Sequence, residues 1–154
     1  MFIPGFLVTW ATFPGVIVHE FAHKLFCQIT GTRVIEVRYF QFDNPAGYVL
    51  HEIPTSPWKH LLIGFGPLIV NTLGGLGIAL AALPLKGVGE GTNPLFVVLM
   101  WLAISVAMHS FPSTGDAKSI WEGIWGERGS ILSRIVGTPL VGIIFLGALV
   151  VCQD

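Results

Sequence analysis

Charged residues make up only 11% of this 154-residue chain, against about 25% in an ordinary soluble domain. With 53% of its residues apolar and a mean hydropathy of +0.74, the chain has too little polar surface to stay dissolved alone. Eight Lys and Arg against nine Asp and Glu leave a net charge of -1. That balance offers no basic footprint, so nucleic acid is excluded as a partner. The two cysteines, Cys27 and Cys152, lie far apart in or beside apolar segments, which excludes a disulfide framework and a cysteine zinc cluster. There is no sequence repeat and no low-complexity stretch. No Lys or Arg precedes the first apolar stretch at Phe2, and no small-residue cleavage site follows it before the charges begin. It is therefore expected to be retained rather than removed as a secretory signal.

What remains is apolar length. Four stretches run from about Phe2 to Ile29, Trp58 to Leu83, Leu95 to Ser110 and Ile131 to Val151. A helical span needs roughly 20 such residues, so the expected fold is membrane α-helical, with about four transmembrane helices in the lipid bilayer. Residues 1–154 form one membrane-embedded domain in this scheme, since no length is left for a separate soluble one. Pro4 and Pro14 interrupt the first stretch, so its regular helix is expected from Thr12 or Pro14 onward. The third stretch, at about 16 residues, is short for a full span. Gly64, Gly66, Gly74, Gly75, Gly77, Gly137, Gly142 and Gly147 supply the small surfaces that let membrane helices approach closely.

Between the first two stretches, Val34 to Phe42 is rich in β-branched and aromatic residues. A turn over Asp43 to Gly47 and a second run from Tyr48 to Ile53 follow, which predicts a β-hairpin. Lys24, Arg33, Arg38 and Lys59 flank or lie in it, and Lys118, Arg128 and Arg134 follow the third stretch, whereas only Lys86 follows the second. The positive-inside rule then places the hairpin and the 111–130 loop in the cytoplasm, with both termini outside. The expected location is a prokaryotic plasma membrane, multi-pass, with the site toward the cytoplasm.

At the inner end of the first stretch stands His19-Glu20-Phe21-Ala22-His23. Residues i and i+4 of a helix share nearly one face about 6 Å apart, so two imidazoles can bind one metal while Glu20 points to the adjacent sector. Zinc held by two His and a carboxylate keeps an open position for water, lowers its pKa toward about 7 and polarises a substrate carbonyl; the Glu takes the proton. The bland alternative is that His19 and His23 are packed polar residues bonded to backbone carbonyls near an interface. An ionisable cluster in an apolar span is costly and by default marks a function. Asp116, following the third stretch on the same side, is the expected third ligand. His109, His51 and His60 are its rivals, with His109 also a candidate supporting donor or transition-state contact. Asp116 could otherwise serve only as a helix cap in the Ser113-Thr114-Gly115-Asp116 turn.

With Gly66-Pro67-Leu68-Ile69-Val70-Asn71 in the second span and an Asp at the end of the third, the chain resembles the site-2 protease family of intramembrane zinc metalloproteases. Where that family commonly has Asn-Pro-Asp-Gly, this chain reads Ser113-Thr114-Gly115-Asp116-Ala117. The resemblance implies zinc on His19, His23 and Asp116, Glu20 as general base, and cleavage of a membrane-protein or peptide substrate. Asn71 would either organise the site or bond a neighbouring helix. Cys27 is a packing residue, and Trp121 and Trp125 are interfacial anchors. The hairpin either pairs with an extended substrate or caps the bundle, its aromatic residues at the headgroups. A catalytically silent relative serving as a scaffold or subunit, and a metal or ion transporter, are the competing functions. A homo-oligomer or a regulatory membrane partner fits the enzyme as well.

Overall fold

The computed structural model describes residues 5–87 and 93–151, so the expected start at Phe2, Pro4 and Cys152 lie outside the described residues. Helix α1 (Gly5–Ala11) is followed by α2 (Phe13–Ile29). They separate at Thr12, whose hydroxyl donates to the Val8 carbonyl at 2.6 Å. Pro14 occupies the first turn of α2, where its missing N–H has no helical acceptor to lose. The regular helix thus begins where the prolines predict.

Helix α2 stops at Gly31, which takes a φ of 65° while the Thr32 N–H bonds back to the Cys27 carbonyl at 2.8 Å. That left-handed residue reverses the chain. Strand β1 (Val34–Arg38) then pairs antiparallel with β2 (Tyr48–His51), Arg38 opposite Tyr48, with a bulge between Val34 and Glu36. The Glu36 carboxylate accepts from the Tyr48 hydroxyl at 2.9 Å and from Arg38 at 3.1 Å, and these bonds hold its pKa below the usual range.

The strands are shorter than the β-rich runs that suggest them. Phe40 and Phe42 leave the ladder to pack on Phe13 and Trp10, with ring centroids 5.7 and 5.3 Å apart. The hairpin folds back along α2, from the end of that helix to its start, where Phe40 and Phe42 make tilted and edge-to-face ring contacts with Phe13 and Trp10 in place of further ladder pairing.

Helix α3 (Pro57–Ala82) continues into a 3-10 turn over Leu83–Leu85. Next come α4 (Pro94–Met108), capped by the Asn93 side chain, α5 (Thr114–Trp125) and α6 (Ile131–Val151). Leu61, Ala117, Ile120, Ile124, Val141 and Ile144 join α3, α5 and α6 in one apolar core. A second packing layer, α2 with α3 and α4, is stitched by the buried polar residues Ser105 and Asn71.

The protein is mostly helical, with a small two-stranded sheet. Among the described residues, one helix, Pro57–Leu85 with a mean hydropathy of 1.9, is long and apolar enough to cross a membrane. Pro94–Met108 and Ile131–Gly147 are apolar but shorter. The outer faces of these helices nonetheless expose Leu62, Ile69, Leu73, Leu76, Val98, Ile104, Ile135 and Leu146.

Candidate metal centre

His19 and His23 lie one turn apart on α2, and their Nε2 atoms face each other at 3.1 Å. The opposite nitrogen of each ring meets a backbone carbonyl: His19 Nδ1 the oxygen of His109 at 2.7 Å, His23 Nδ1 that of Ile63 at 3.0 Å. A carbonyl oxygen can only accept, so both Nδ1 atoms carry the hydrogen and both Nε2 atoms of the neutral rings present lone pairs. Asp116 faces the same spot. Its Oδ1 is 3.2 Å from His23 Nε2 and its Oδ2 is 3.8 Å from His19 Nε2.

Three acceptors are thus in mutual contact with no hydrogen between them, an arrangement that repels itself unless a cation or an added proton intervenes. Bonds of about 2.0–2.2 Å to zinc in tetrahedral geometry put neighbouring donor atoms about 3.4 Å apart. One donor atom from each of His19, His23 and Asp116 lies within 4.8 Å of the others, so the residues present fit a single metal ion.

Asp116 also closes the start of α5. Its Oδ2 accepts from the Ser113 N–H and hydroxyl, both at 2.7 Å, while the Asp116 N–H donates to Ser113 Oγ at 3.1 Å. The helix-cap and ligand roles are therefore compatible: the cap holds one oxygen and leaves the other toward His23. Burial alone would raise the pKa of this carboxyl; when a proton is added to the imidazoles, the positive charge and Nε2 hydrogen bonds of His23 and His19 hold it well below the usual carboxylate range.

Glu20 is buried beside the cluster, on the neighbouring sector of α2. Among the described residues its carboxylate has no hydrogen bond or ion pair to occupy it. Gly47 closes over it: a Cβ there would stand 2.7 Å from Glu20 Cγ. The hairpin thereby touches the expected base, although 27 residues of sequence separate the two.

His109 contributes its carbonyl and not its ring. The Thr12 hydroxyl spends its hydrogen on Val8, so it accepts from His109 Nε2 at 2.9 Å, which turns that nitrogen away from ligand duty. His51 bonds the Glu52 carbonyl and His60 approaches Ser119, so neither rival joins the cluster. Cys27 is fully buried and outside the cluster, in keeping with packing. Trp121 and Trp125 lie exposed on α5, with Arg134 stacked 5.0 Å over Trp125.

Asn71 is completely buried, and its Nδ2 lies within hydrogen-bond distance of the carbonyls of Gly15, Val106 and His109, at 3.2, 3.2 and 3.1 Å. It binds α3 to α2 and α4 and touches the carbonyl that carries His19. Motif spacing does not single out the Ile63 carbonyl behind His23. The signal for it is Pro67: a proline inside a helix leaves the carbonyl four residues earlier without its helical donor. Compared with known protein families, with curated proteins and with solved structures, the chain matches none.

Proposed function

We propose that the protein is an intramembrane zinc endopeptidase of the site-2 protease type. The observation that carries this is the trio of facing donor atoms on His19, His23 and Asp116 with an uncommitted Glu20 beside them. In this role the two imidazoles and the carboxylate hold the ion. Zinc, when bound, supplies a Lewis acid for the scissile carbonyl and a water of lowered pKa. Glu20 takes the proton of the attacking water and delivers it to the leaving amine, work for which a carboxylate without a competing partner is suited.

Peptide bonds in a membrane helix are hidden by their own hydrogen bonds, so the substrate must be held extended. The hairpin, lying along α2 and touching Glu20 through Gly47, is the element suited to pair with it. The chain is multi-pass, with α2, α3, α4 and α6 as spans and the site toward the cytoplasm. The exposed apolar residues along these helices support this, because water would not tolerate so continuous an apolar surface. Helix α4 alone rises only about 22 Å against a core of about 30 Å, so it must share its depth with the turn that follows.

The test pairs zinc content with cleavage. Purified protein in detergent should hold about one zinc. Glu20→Gln should keep that zinc and lower cleavage of a transmembrane peptide by about 10²–10⁴-fold. Cleavage that survives this change refutes the assigned base, and an unaltered cellular phenotype in that variant would favour the scaffold function instead.

A further inference from the structure

Two features of α3 work against its own stability. Pro67 sits inside the helix, where it removes one helical hydrogen bond and its ring crowds the preceding turn. Asn71 is wholly buried with its Oδ1 unpartnered, a loss that an apolar side chain of similar size would avoid. Residues four apart share one helix face. Both are fully buried, Asn71 reaches the Gly15 carbonyl of α2, and at Gly66, just before Pro67, a Cβ would meet the Phe26 ring of α2 at 2.7 Å.

Each feature is matched to a carbonyl that no helix uses. Helical N–H groups bond the carbonyl four residues back, so Pro67, which has no N–H, leaves the Ile63 oxygen free. His23 Nδ1 takes it at 3.0 Å. The His109 oxygen belongs to the residue that ends α4, where carbonyls lose their helical donors. His19 Nδ1 takes that one at 2.7 Å, and Asn71 Nδ2 reaches the same oxygen at 3.1 Å while also reaching Gly15 and Val106.

We infer that Pro67 and Asn71 are positioning residues for the two histidine ligands: Pro67 by freeing the Ile63 carbonyl for His23, Asn71 by fixing the His109 carbonyl for His19. This rests on the metal-centre reading for its use, though not for its geometry. Each carbonyl locks one ring into the tautomer with hydrogen on Nδ1 and so aims the Nε2 lone pair at the cluster. Partners behind a metal-binding imidazole are commonly worth 10–100-fold in metal affinity. The histidine ring at 109 has no part in this, because only its main-chain oxygen is used.

The experiment uses the full chain in detergent, with zinc and cobalt(II) titrations and nitrogen NMR of the histidine rings in metal-free protein. Pro67→Ala restores an N–H that competes for the Ile63 oxygen. It should leave the metal-free protein at least as heat-stable as wild type yet bind zinc about 10–100-fold more weakly. The His23 ring should then shift toward the tautomer with hydrogen on Nε2. Asn71→Leu keeps the packing volume and should lower affinity by a similar factor.

A merely structural proline would give greater heat stability with no loss of affinity. Wild-type affinity and wild-type tautomers in Pro67→Ala overturn the inference, and this variant carries the decision if Asn71→Leu does not fold. If wild-type protein itself binds neither ion, the metal-centre reading fails, and the ring tautomers of wild type and Pro67→Ala still decide the positioning role.

Discussion

Replacing Asp116 separates its two duties by magnitude. Alanine removes the acceptor for the Ser113 N–H and hydroxyl, both 2.7 Å away, and the oxygen 3.2 Å from His23 Nε2. Loss of a helix cap costs about 1 kcal/mol, so the metal-free variant should be less stable by about that amount. The ligand role is read by adding zinc. At a free zinc concentration of about 1,000 times Kd, binding stabilises the folded state by about 4.1 kcal/mol. If loss of the carboxylate weakens binding by about 100-fold, the same zinc stands at about 10 times Kd and contributes only about 1.4 kcal/mol. At about 2–4 °C per kcal/mol for a chain of this size, wild type should gain about 8–16 °C in Tm and Asp116→Ala about 3–6 °C. Asp116→Asn retains an oxygen for the cap, so it should lose the zinc gain while keeping most of the metal-free stability. Thermal melts of wild type and both variants in detergent, with and without zinc, give all six values. A wild-type zinc gain in both variants would show that Asp116 serves the helix alone.

Other outcomes follow from the same contacts. Ser113→Ala should lower metal-free stability by about 1 kcal/mol and zinc affinity by about tenfold, because it releases the oxygen that the cap holds; equal affinity in a zinc titration would separate cap from ligand. Gly47→Ala places a Cβ where Glu20 Cγ stands 2.7 Å away, so it should slow cleavage while leaving zinc content at wild-type level by metal analysis. Gly31→Ala forces a side chain onto a residue with a φ of 65°. It should cost roughly 1–2 kcal/mol in denaturation, and no loss would mean that the turn relaxes. Chelation should abolish cleavage and lower Tm, and stoichiometric zinc should restore both.

Periodic and chemical signals act over short stretches of chain, and those are legible in the sequence itself. His19 and His23 are ligand candidates because a helix returns to the same face every four residues, and the apolar runs around them identify that helix. Pro14 marks where α2 begins, and the turn at Asp43–Gly47 joins two strands. Asp116 can be named only as the better of several partners, because nothing in a linear chain says which loop returns to which helix. The extent of β1 is overestimated because a run of β-formers carries no record of the rings that will compete for it. Phe40 and Phe42 are as good in a strand as against Phe13 and Trp10, and packing makes the choice.

Local residue chemistry marked the apolar stretches that become α2, α3, α4 and α6, the hairpin and the pair of imidazoles; α5 instead forms inside the 111–130 stretch expected as a loop, started by the Ser113–Asp116 capping box and held by Ile120 and Ile124 in the core. Folding in three dimensions settled which oxygen faces His23, that His109 serves through its main chain while its ring turns to Thr12, and that Gly47 lies against Glu20. These are contacts between segments 27 to 97 residues apart. Their selection depends on which unclaimed carbonyls and buried polar groups meet when α2, α3, α4 and α5 pack together, and no short window of sequence holds that information.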